Sequence, residues 1–335
     1  MNEYRWARLA ALTLIGLVCL VTNACLSSEG VVAPTLRGPT VEPTQPPTLG
    51  ATLTRSRPQP TASETPVPDV TPTGTSLPTV TATAIPEPTP SGAPKRLSIT
   101  VLYDNNPYDE RLETAWGFSC LVQGLEKTIL FDTGGDSAML LRNMQKLGID
   151  PGMVEIIVLS HIHYDHVGGL GGFLAENNDV AVYLPRSLPD EIKNTVRQAG
   201  ARLVEVDKPV KICELAYSTG ELGKWIREQS LVIETGKGLV VITGCAHPGV
   251  VNVVQEAKSL LQKDVHLVLG GFHLCWMNAF QVKGVVEGVK REGVARVAPC
   301  HCSGDLARST FEKIYGEDFL LAGVGRTLEV EMWRR

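Results

Sequence analysis

The sequence has little that would bind nucleic acid and little that would cross-link a small domain. Its 335 residues contain no run of lysine and arginine and no basic patch interleaved with aromatic residues, and the formal net charge is −5. Because nucleic-acid binding depends on clustered positive charge, we predict no nucleic-acid partner. Six of the eight cysteines lie beyond residue 100 without the spacing of a small disulfide-rich domain, so we expect reduced thiols there.

Aromatic residues are absent from residues 26–95, a segment that instead holds 15 of the 22 prolines and 15 threonines. Such a composition cannot bury enough apolar surface to offset the entropy lost on ordering. We therefore predict a disordered, partly extended linker over residues 26–95. The remaining residues, 96–335, are enough for one α/β domain with a substantial core.

Long apolar runs are scarce, and the one near the N-terminus covers only residues 9–21. That is short for a membrane span and typical of the core of a signal peptide. Arg5 and Arg8 precede this run, and Ala24 precedes Cys25, an arrangement that resembles a bacterial lipoprotein signal. The resemblance implies a signal peptide over residues 1–25, lipidation of Cys25, and an extracytoplasmic protein anchored to the bacterial cell membrane. A non-lipidated signal peptide, an uncleaved anchor and a cytoplasmic protein are the alternatives.

Histidine is also scarce, but three of the seven histidines fall within HIHYDH at residues 161–166. The apolar, β-branched run at residues 155–159 predicts a buried strand, so the motif lies where a strand ends and a loop begins. His161 and His163 are two residues apart, so in an extended segment their rings project to one side and can share an ion. Asp165 and His166 follow on the turning loop and can face a second ion. Imidazole and carboxylate without thiolate suit zinc, or iron or manganese, in an open catalytic site.

The later histidines repeat this placement. Three of them each follow a predicted strand, namely His247, His273 and His301. Because the ends of neighbouring strands can converge on one edge of a sheet, we expect these side chains to join the motif in a single site. His266 lies inside a predicted strand, and we interpret it as structural.

The phrases FDTGG, SHIHYDHVGG, TGCAHPGVVN, LGGFHL and PCHCSG resemble the metallo-β-lactamase fold superfamily. Within it they resemble the dihydropteroate-synthase-like group, whose members are often labelled 7,8-dihydropterin-6-yl-methyl-4-(β-D-ribofuranosyl)aminobenzene 5′-phosphate synthase. The resemblance spans roughly residues 97–331 and implies an αββα sandwich. The ligands that it implies are, for a first metal, His161, His163 and His247, and for a second metal, Asp165, His166 and His301.

The resemblance also implies roles for residues around these ligands. Asp132 would hold the ligand loop rather than touch metal, with a helix cap as the alternative. His273 stands where many relatives have a bridging aspartate, and we expect it to bridge the metals or to orient the substrate or the water. Asp165 would orient the nucleophile as well as bind metal, so Asp165 and His273 are the predicted catalytic residues. The cysteines beside His247 and His301 are expected to pack behind the ligands, with metal ligation as the alternative.

From these patterns we expect residues 96–335 to form the catalytic domain of a metal-dependent hydrolase. One or two divalent ions, zinc before iron or manganese, would activate water toward a small phosphoester- or lactone-like substrate. A synthase-like transferase acting on dihydropterin and aminobenzene ribofuranosyl phosphate, a non-catalytic metal- or ligand-binding surface lipoprotein, and a redox di-iron centre are the alternatives. Residues 219–225 are predicted to be either a substrate-facing loop or a simple connection.

Overall fold

The computed structural model of the protein describes residues 96–333. The predicted signal peptide, the lipidation of Cys25 and the linker over residues 26–95 lie outside the described residues. Within the described part of the chain, no helix is both long enough and apolar enough to cross a membrane.

The first sheet contains seven strands in the order β13-β1-β2-β3-β4-β5-β6. Strands β3 to β6 run parallel, and β13, β1 and β2 extend the sheet by antiparallel pairing. The bounds of the strands are β1 Arg96–Tyr103, β2 Ser119–Gln123, β3 Ile129–Phe131, β4 Ile156–Val158, β5 Ala181–Pro185, β6 Arg202–Val206 and β13 Thr327–Glu331.

The second sheet contains six strands in the order β12-β11-β10-β9-β8-β7. Its strands β10, β11 and β12 are parallel to one another, whereas the rest of the sheet is antiparallel. The bounds of the strands are β7 Val210–Cys213, β8 Ala216–Ser218, β9 Leu231–Thr235, β10 Gly238–Thr243, β11 Val265–Gly271 and β12 Arg296–Cys300.

Seven α-helices accompany the sheets in residues 96–333. They are α1 Ser137–Lys146, α2 Tyr164–Val167, α3 Leu170–Glu176, α4 Asp190–Ala199, α5 Val250–Leu261, α6 Ala279–Arg291 and α7 Asp305–Tyr315. The first helix is capped by Asp136, whose carboxylate accepts the backbone N–H of Met139 at 3.0 Å.

Three apolar clusters define the layers of the fold. The central cluster takes inward-facing side chains from both sheets, such as Ile99 and Val122 from the first and Ile233 and Leu267 from the second. A second cluster packs α1, α3 and α4 on the outer face of the first sheet, and a third packs α5, α6 and α7 on the outer face of the second. The predicted αββα sandwich is therefore confirmed.

Two local predictions differ from the structure. Asp165 and His166 lie on the short helix α2 and not on an open loop, because the N–H groups of Val167 and Gly168 bond to the carbonyls four residues earlier, at 3.2 and 2.7 Å. The sequence shows no clear strand pattern within residues 207–229, so no strand is expected there, but the segment contains β7 and β8. Both strands are only three or four residues long, too short for a clear alternation of apolar residues.

Candidate metal centre

The carboxyl ends of the parallel strands in both sheets meet at one edge of the sandwich, and the predicted ligands lie there. His161 and His163 follow β4, His247 follows β10, His273 follows β11, and His301 follows β12. The predicted convergence of separate strand ends on one edge is therefore observed. His266, half-buried within β11, lies away from this edge, as predicted.

Three imidazoles form a first group of facing nitrogen atoms, which we call the first triad (His161, His163, His247). The Nδ1 atom of His163 lies 3.1 Å from Nε2 of His161 and 3.2 Å from Nε2 of His247. His161 is fully buried, whereas the other two rings are partly open to solvent. A cation held by these nitrogens would therefore be reached from the side of His163 and His247.

A second triad (Asp165, His166, His301) lies beside the first, with the rings of His161 and His166 only 4.2 Å apart between centroids. The Oδ2 atom of Asp165 is 3.2 Å from Nε2 of His301 and 3.5 Å from Nε2 of His166. The two Nε2 atoms are 3.3 Å apart. The structure thus brings six of the seven predicted ligands into two adjacent groups of three.

Hydrogen bonds on the outer side of the rings fix which nitrogen faces the centre. The hydroxyl of Ser160 donates to Oδ2 of Asp132 at 2.7 Å, so its oxygen is left to accept the Nδ1–H of His161 at 2.9 Å. Nδ1 of His166 donates to the same Asp132 oxygen at 2.7 Å, and Nδ1 of His301 to the side-chain oxygen of Asn105 at 3.0 Å. Asp132 thus contacts Ser160 and His166 from the outer side, as a residue that positions the ligand loop would do.

This hydrogen bonding tests whether the residues fit a metal ion. With Nδ1 of His166 and of His301 both donating outward, the neutral rings turn two Nε2 lone pairs toward each other at 3.3 Å. Two lone pairs at that distance repel unless a cation or a proton lies between them. The donor set of imidazoles and one carboxylate is the set that zinc and related ions use. The residues therefore fit the implied metal.

The pKa values of these histidines follow from their burial and their charged neighbours. Burial, together with the neighbouring imidazoles, lowers the pKa of His161 well below its usual value. Burial also lowers the pKa of His247, to about 4, so these rings are neutral and able to bind metal. Burial would lower the pKa of His166 too, but Asp132 and Asp165 outweigh it and raise that pKa to about 10. A metal ion in the second triad would therefore have to replace a proton on His166.

Glu228, which the sequence analysis did not single out, holds the loop that carries His247. Its buried carboxylate accepts four backbone N–H groups, from Gly244, Cys245 and Ala246 at 3.1, 2.9 and 2.9 Å and from His247 at 2.8 Å. No local sequence pattern marks this glutamate, because it follows an irregular segment. Its hydrogen-bond partners all lie on the turn after β10, which becomes its neighbour only in the folded sheet.

The expectation that the cysteines pack behind the ligands is wrong for two of them. The sulfur of Cys245 lies 3.3 Å from Nε2 of His166, and it lies 3.3 Å from the sulfur of Cys302. Both side chains therefore face the centre. Cys300 does lie behind it, beside the buried carboxylate of Asp104. All six cysteines of the described residues are free thiols.

His273 lies next to the first triad and faces the thiols. Its ring centroid is 4.4 Å from that of His247, and its potential ligand atom groups with the sulfurs of Cys245 and Cys302. A hydrogen bond with Cys302 is the main cause that raises the pKa of His273. A bridging ligand would lie close to ligand atoms of both triads, whereas the ring of His273 groups with the two sulfurs. Its catalytic role stays a prediction.

Backbone strain is concentrated at this edge. Six non-glycine residues in the described part of the chain have left-handed φ angles, and four of them lie here, with φ between 46° and 54°: Asp132, Ala246, His273 and His301. Each such conformation costs about 1–3 kcal/mol and persists only where the surroundings hold it. Positioning the side chains at this edge is therefore achieved at a cost in stability.

A pocket of about 560 Å³ opens beside the first triad. Its lining includes His247, Pro248 and residues 222–226, so the end of the segment predicted to be either substrate-facing or connecting borders the candidate site. Trp225 is 97% exposed, and the half-exposed Trp116 packs against the ring of His301 with centroids 4.9 Å apart. An apolar or aromatic group would find contact surface at this entrance.

Comparison with known proteins agrees with the architecture. Residues 117–258 match the model of the Metallo-beta-lactamase superfamily. The chain is 26% identical over 279 residues to the 7,8-dihydropterin-6-methyl-4-(beta-D-ribofuranosyl)-aminobenzene-5'-phosphate synthase of Methanocaldococcus jannaschii. The aligned region covers 69% of this chain and 95% of that protein. A crystal structure described as a metal-dependent hydrolase of the beta-lactamase superfamily superposes with a TM-score of 0.61 at 29% identity, over 70% of this chain and 99% of the other. The metallo-beta-lactamase fold protein YhfI of Bacillus subtilis is also similar in fold, with a TM-score of 0.53 at 16% identity. That superposition covers 70% of this chain and 100% of the YhfI chain.

Proposed function

Because residues 96–333 have the αββα fold and residues 117–258 match the model of the Metallo-beta-lactamase superfamily, we propose that this chain is a metal-dependent hydrolase of a small phosphoester- or lactone-like substrate. The observation that carries the proposal is the pair of adjacent triads, in which hydrogen bonds on the outer side turn a ring nitrogen of His161, His166 and His301 inward. The first triad would hold one divalent ion and the second triad another. Zinc fits this donor set, and so do iron and manganese.

When bound, divalent ions supply Lewis acidity and lower the pKa of water, from about 16 in bulk to about 7 in the most favourable zinc sites. Asp165 is the group of this chain placed to direct the attacking water. Its carboxylate is partly open to solvent, and burial would raise its pKa, but hydrogen bonds from His166 and His301 outweigh burial and hold the pKa below its usual range. The carboxylate therefore stays an acceptor at neutral pH.

The residues around the entrance would bind the substrate. Trp116 and Trp225 offer aromatic surface beside the two triads, and the pocket lined by His247 is large enough for a small organic group. His273, next to His247, would orient the substrate or the attacking water. The open, partly apolar entrance suits an ester or lactone with an apolar or aromatic substituent.

A second candidate is a synthase-like transferase on dihydropterin and aminobenzene ribofuranosyl phosphate. It is favoured by the similarity to the archaeal synthase, which extends over 95% of that protein. The N-terminal sequence favours the hydrolase, because we propose that Cys25 is lipidated and that the domain is anchored outside the cell membrane. Pterin intermediates are cytoplasmic, so an exported domain would not meet them.

The test combines metal analysis with turnover. We expect the purified full-length chain to contain divalent metal and to hydrolyse members of a panel of chromogenic phosphodiesters, phosphomonoesters and lactones. His163→Ala and His247→Ala should lose metal and turnover together, whereas His266→Ala, the matched control inside β11, should keep both. Full turnover in metal-free His163→Ala would contradict the proposal. Bound metal without turnover on any substrate class would favour a binding protein, and turnover only with the pterin substrates would favour the transferase.

A further inference from the structure

The two triads leave a gap in the ligand set. Each triad offers three atoms, and Asp165 is the one acidic side chain among the six residues. Asp264, the nearest acidic residue in sequence to β11, precedes that strand and is highly exposed. The structure therefore offers no aspartate at the end of β11 to link the two triads.

The sulfur of Cys245 lies in the gap. It forms one compact group with His161 and His247 of the first triad and another with His166 and His301 of the second, and in each group all potential ligand atoms lie within 4.8 Å of one another. Its distance to Nε2 of His166 is 3.3 Å. Among the described residues it is the one side chain whose ligand atom groups with histidines of both triads.

The local backbone explains why Cys245 points inward. The carboxylate of Glu228 binds the N–H groups of Gly244, Cys245 and Ala246 with one oxygen. Ala246 then takes a left-handed φ of 53°. These constraints fix the turn after β10 and leave the side chain of Cys245 buried at the centre of the edge.

We infer that Cys245 is a thiolate ligand shared by the two metal positions, in the place where the chain lacks a bridging carboxylate. The inference rests on the proposed function, since it requires metal at both triads. On binding, the thiol loses its proton to solvent and the sulfur bonds to metal, so no oxidant or reductant is needed. A thiolate is a soft ligand, so the centre should select zinc, cobalt or iron(II) over magnesium, calcium or manganese.

Cobalt(II) provides a readout that does not depend on turnover. We expect the metal-free full-length chain, titrated with cobalt under a non-thiol reductant, to develop visible bands from imidazole coordination and a near-ultraviolet thiolate-to-cobalt charge-transfer band. If the thiolate is shared, the charge-transfer band should grow over both the first and the second equivalent of cobalt. A band that saturates at one equivalent would overturn the shared role without requiring any variant.

Variants assign the band to a residue. Cys245→Ser should lose the charge-transfer band while keeping visible bands, because the imidazoles remain. Cys213→Ser, the matched control at the end of β7, should keep both. Loss of the band in Cys302→Ser with retention in Cys245→Ser would overturn the inference. Visible bands with no charge-transfer band in the unaltered chain would overturn it as well while leaving the proposed function intact. A failure to bind cobalt at all would contradict the proposed function itself.

Discussion

Replacing Glu228 by glutamine should weaken both the fold and the metal centre, because one carboxylate holds the whole turn that carries Cys245 and His247. One carboxylate oxygen accepts three N–H groups, and the other accepts the N–H of His247 at 2.8 Å. Glutamine has nearly the same shape but only one acceptor oxygen. If its oxygen serves the three N–H groups, its amide nitrogen meets the N–H of His247, and two donors face each other.

The magnitude follows from this count of contacts. A hydrogen bond to a charged group contributes about 1.5–3 kcal/mol, and a buried donor left unpaired costs about 1–3 kcal/mol. Against this, glutamine avoids the burial of a charge, which is the main cause that raises the pKa of Glu228. We therefore expect a net loss of about 2–4 kcal/mol, which for a domain of this size corresponds to a fall of roughly 5–15 °C in Tm.

The assay is thermal unfolding of the purified chain with and without metal, combined with a metal titration. The variant should unfold at a lower temperature and bind metal more weakly, because the backbone that presents His247 is released. Glu176→Gln, the same change at the exposed end of α3, is the matched control and should alter neither. An unchanged Tm and metal affinity in Glu228→Gln would refute the idea that this carboxylate positions the ligand loop.

Three further changes test neighbouring contacts. Asp132→Asn should lower metal affinity by about 10–100-fold, measured by competition with a chelating dye, since both carboxylate oxygens accept: one takes the backbone N–H of Ser160, and the other takes the Ser160 hydroxyl and Nδ1 of His166. The single oxygen of an amide cannot replace both. Gly271→Ala should destabilise the fold by about 1–3 kcal/mol in denaturant unfolding, because a Cβ there would meet the carbonyl of Gly244 and come within 2.7 Å of the Cys302 sulfur. Chelation should lower Tm by roughly 5–15 °C, since ligand at 100 to 1,000 times Kd stabilises by about 2.7–4.1 kcal/mol; an unchanged Tm would show that no metal is bound.

The parts of the site that were predictable from sequence are those encoded locally. His161, His163, Asp165 and His166 lie within six residues after a strand, so their proximity follows from chain connectivity alone. The later histidines were found by a weaker rule, that single polar residues after buried strands meet at a common edge. The αββα layering is implied by the resemblance of the motif phrases to a known superfamily, whereas length and composition indicate only one α/β domain.

The parts that were not predictable depend on contacts between distant segments. Glu228 gains its partners from a turn about 20 residues away, which becomes its neighbour through the pairing of β9 with β10. The inward direction of Cys245 depends on that carboxylate and on a left-handed φ at the following residue. The alternation of side chains predicts their direction only within a strand. Cys245 lies beyond the end of β10, so this rule predicts the wrong direction for its side chain.

The buried carboxylates around the site favour positive charge at this edge. Asp132 holds the turn of Ser160 and orients His166, Glu228 holds the turn of His247, and Asp104 accepts the N–H of His301 at 3.1 Å. Burial raises the pKa of Asp104 and of Glu228, so each is costly to keep ionised without positive charge nearby. Divalent ions bound at the two triads, beside Asp165, would supply that positive charge. Binding of metal therefore stabilises the ionised carboxylates, and the ionised carboxylates in turn hold the ligands, so metal binding and order at this edge should be gained or lost together.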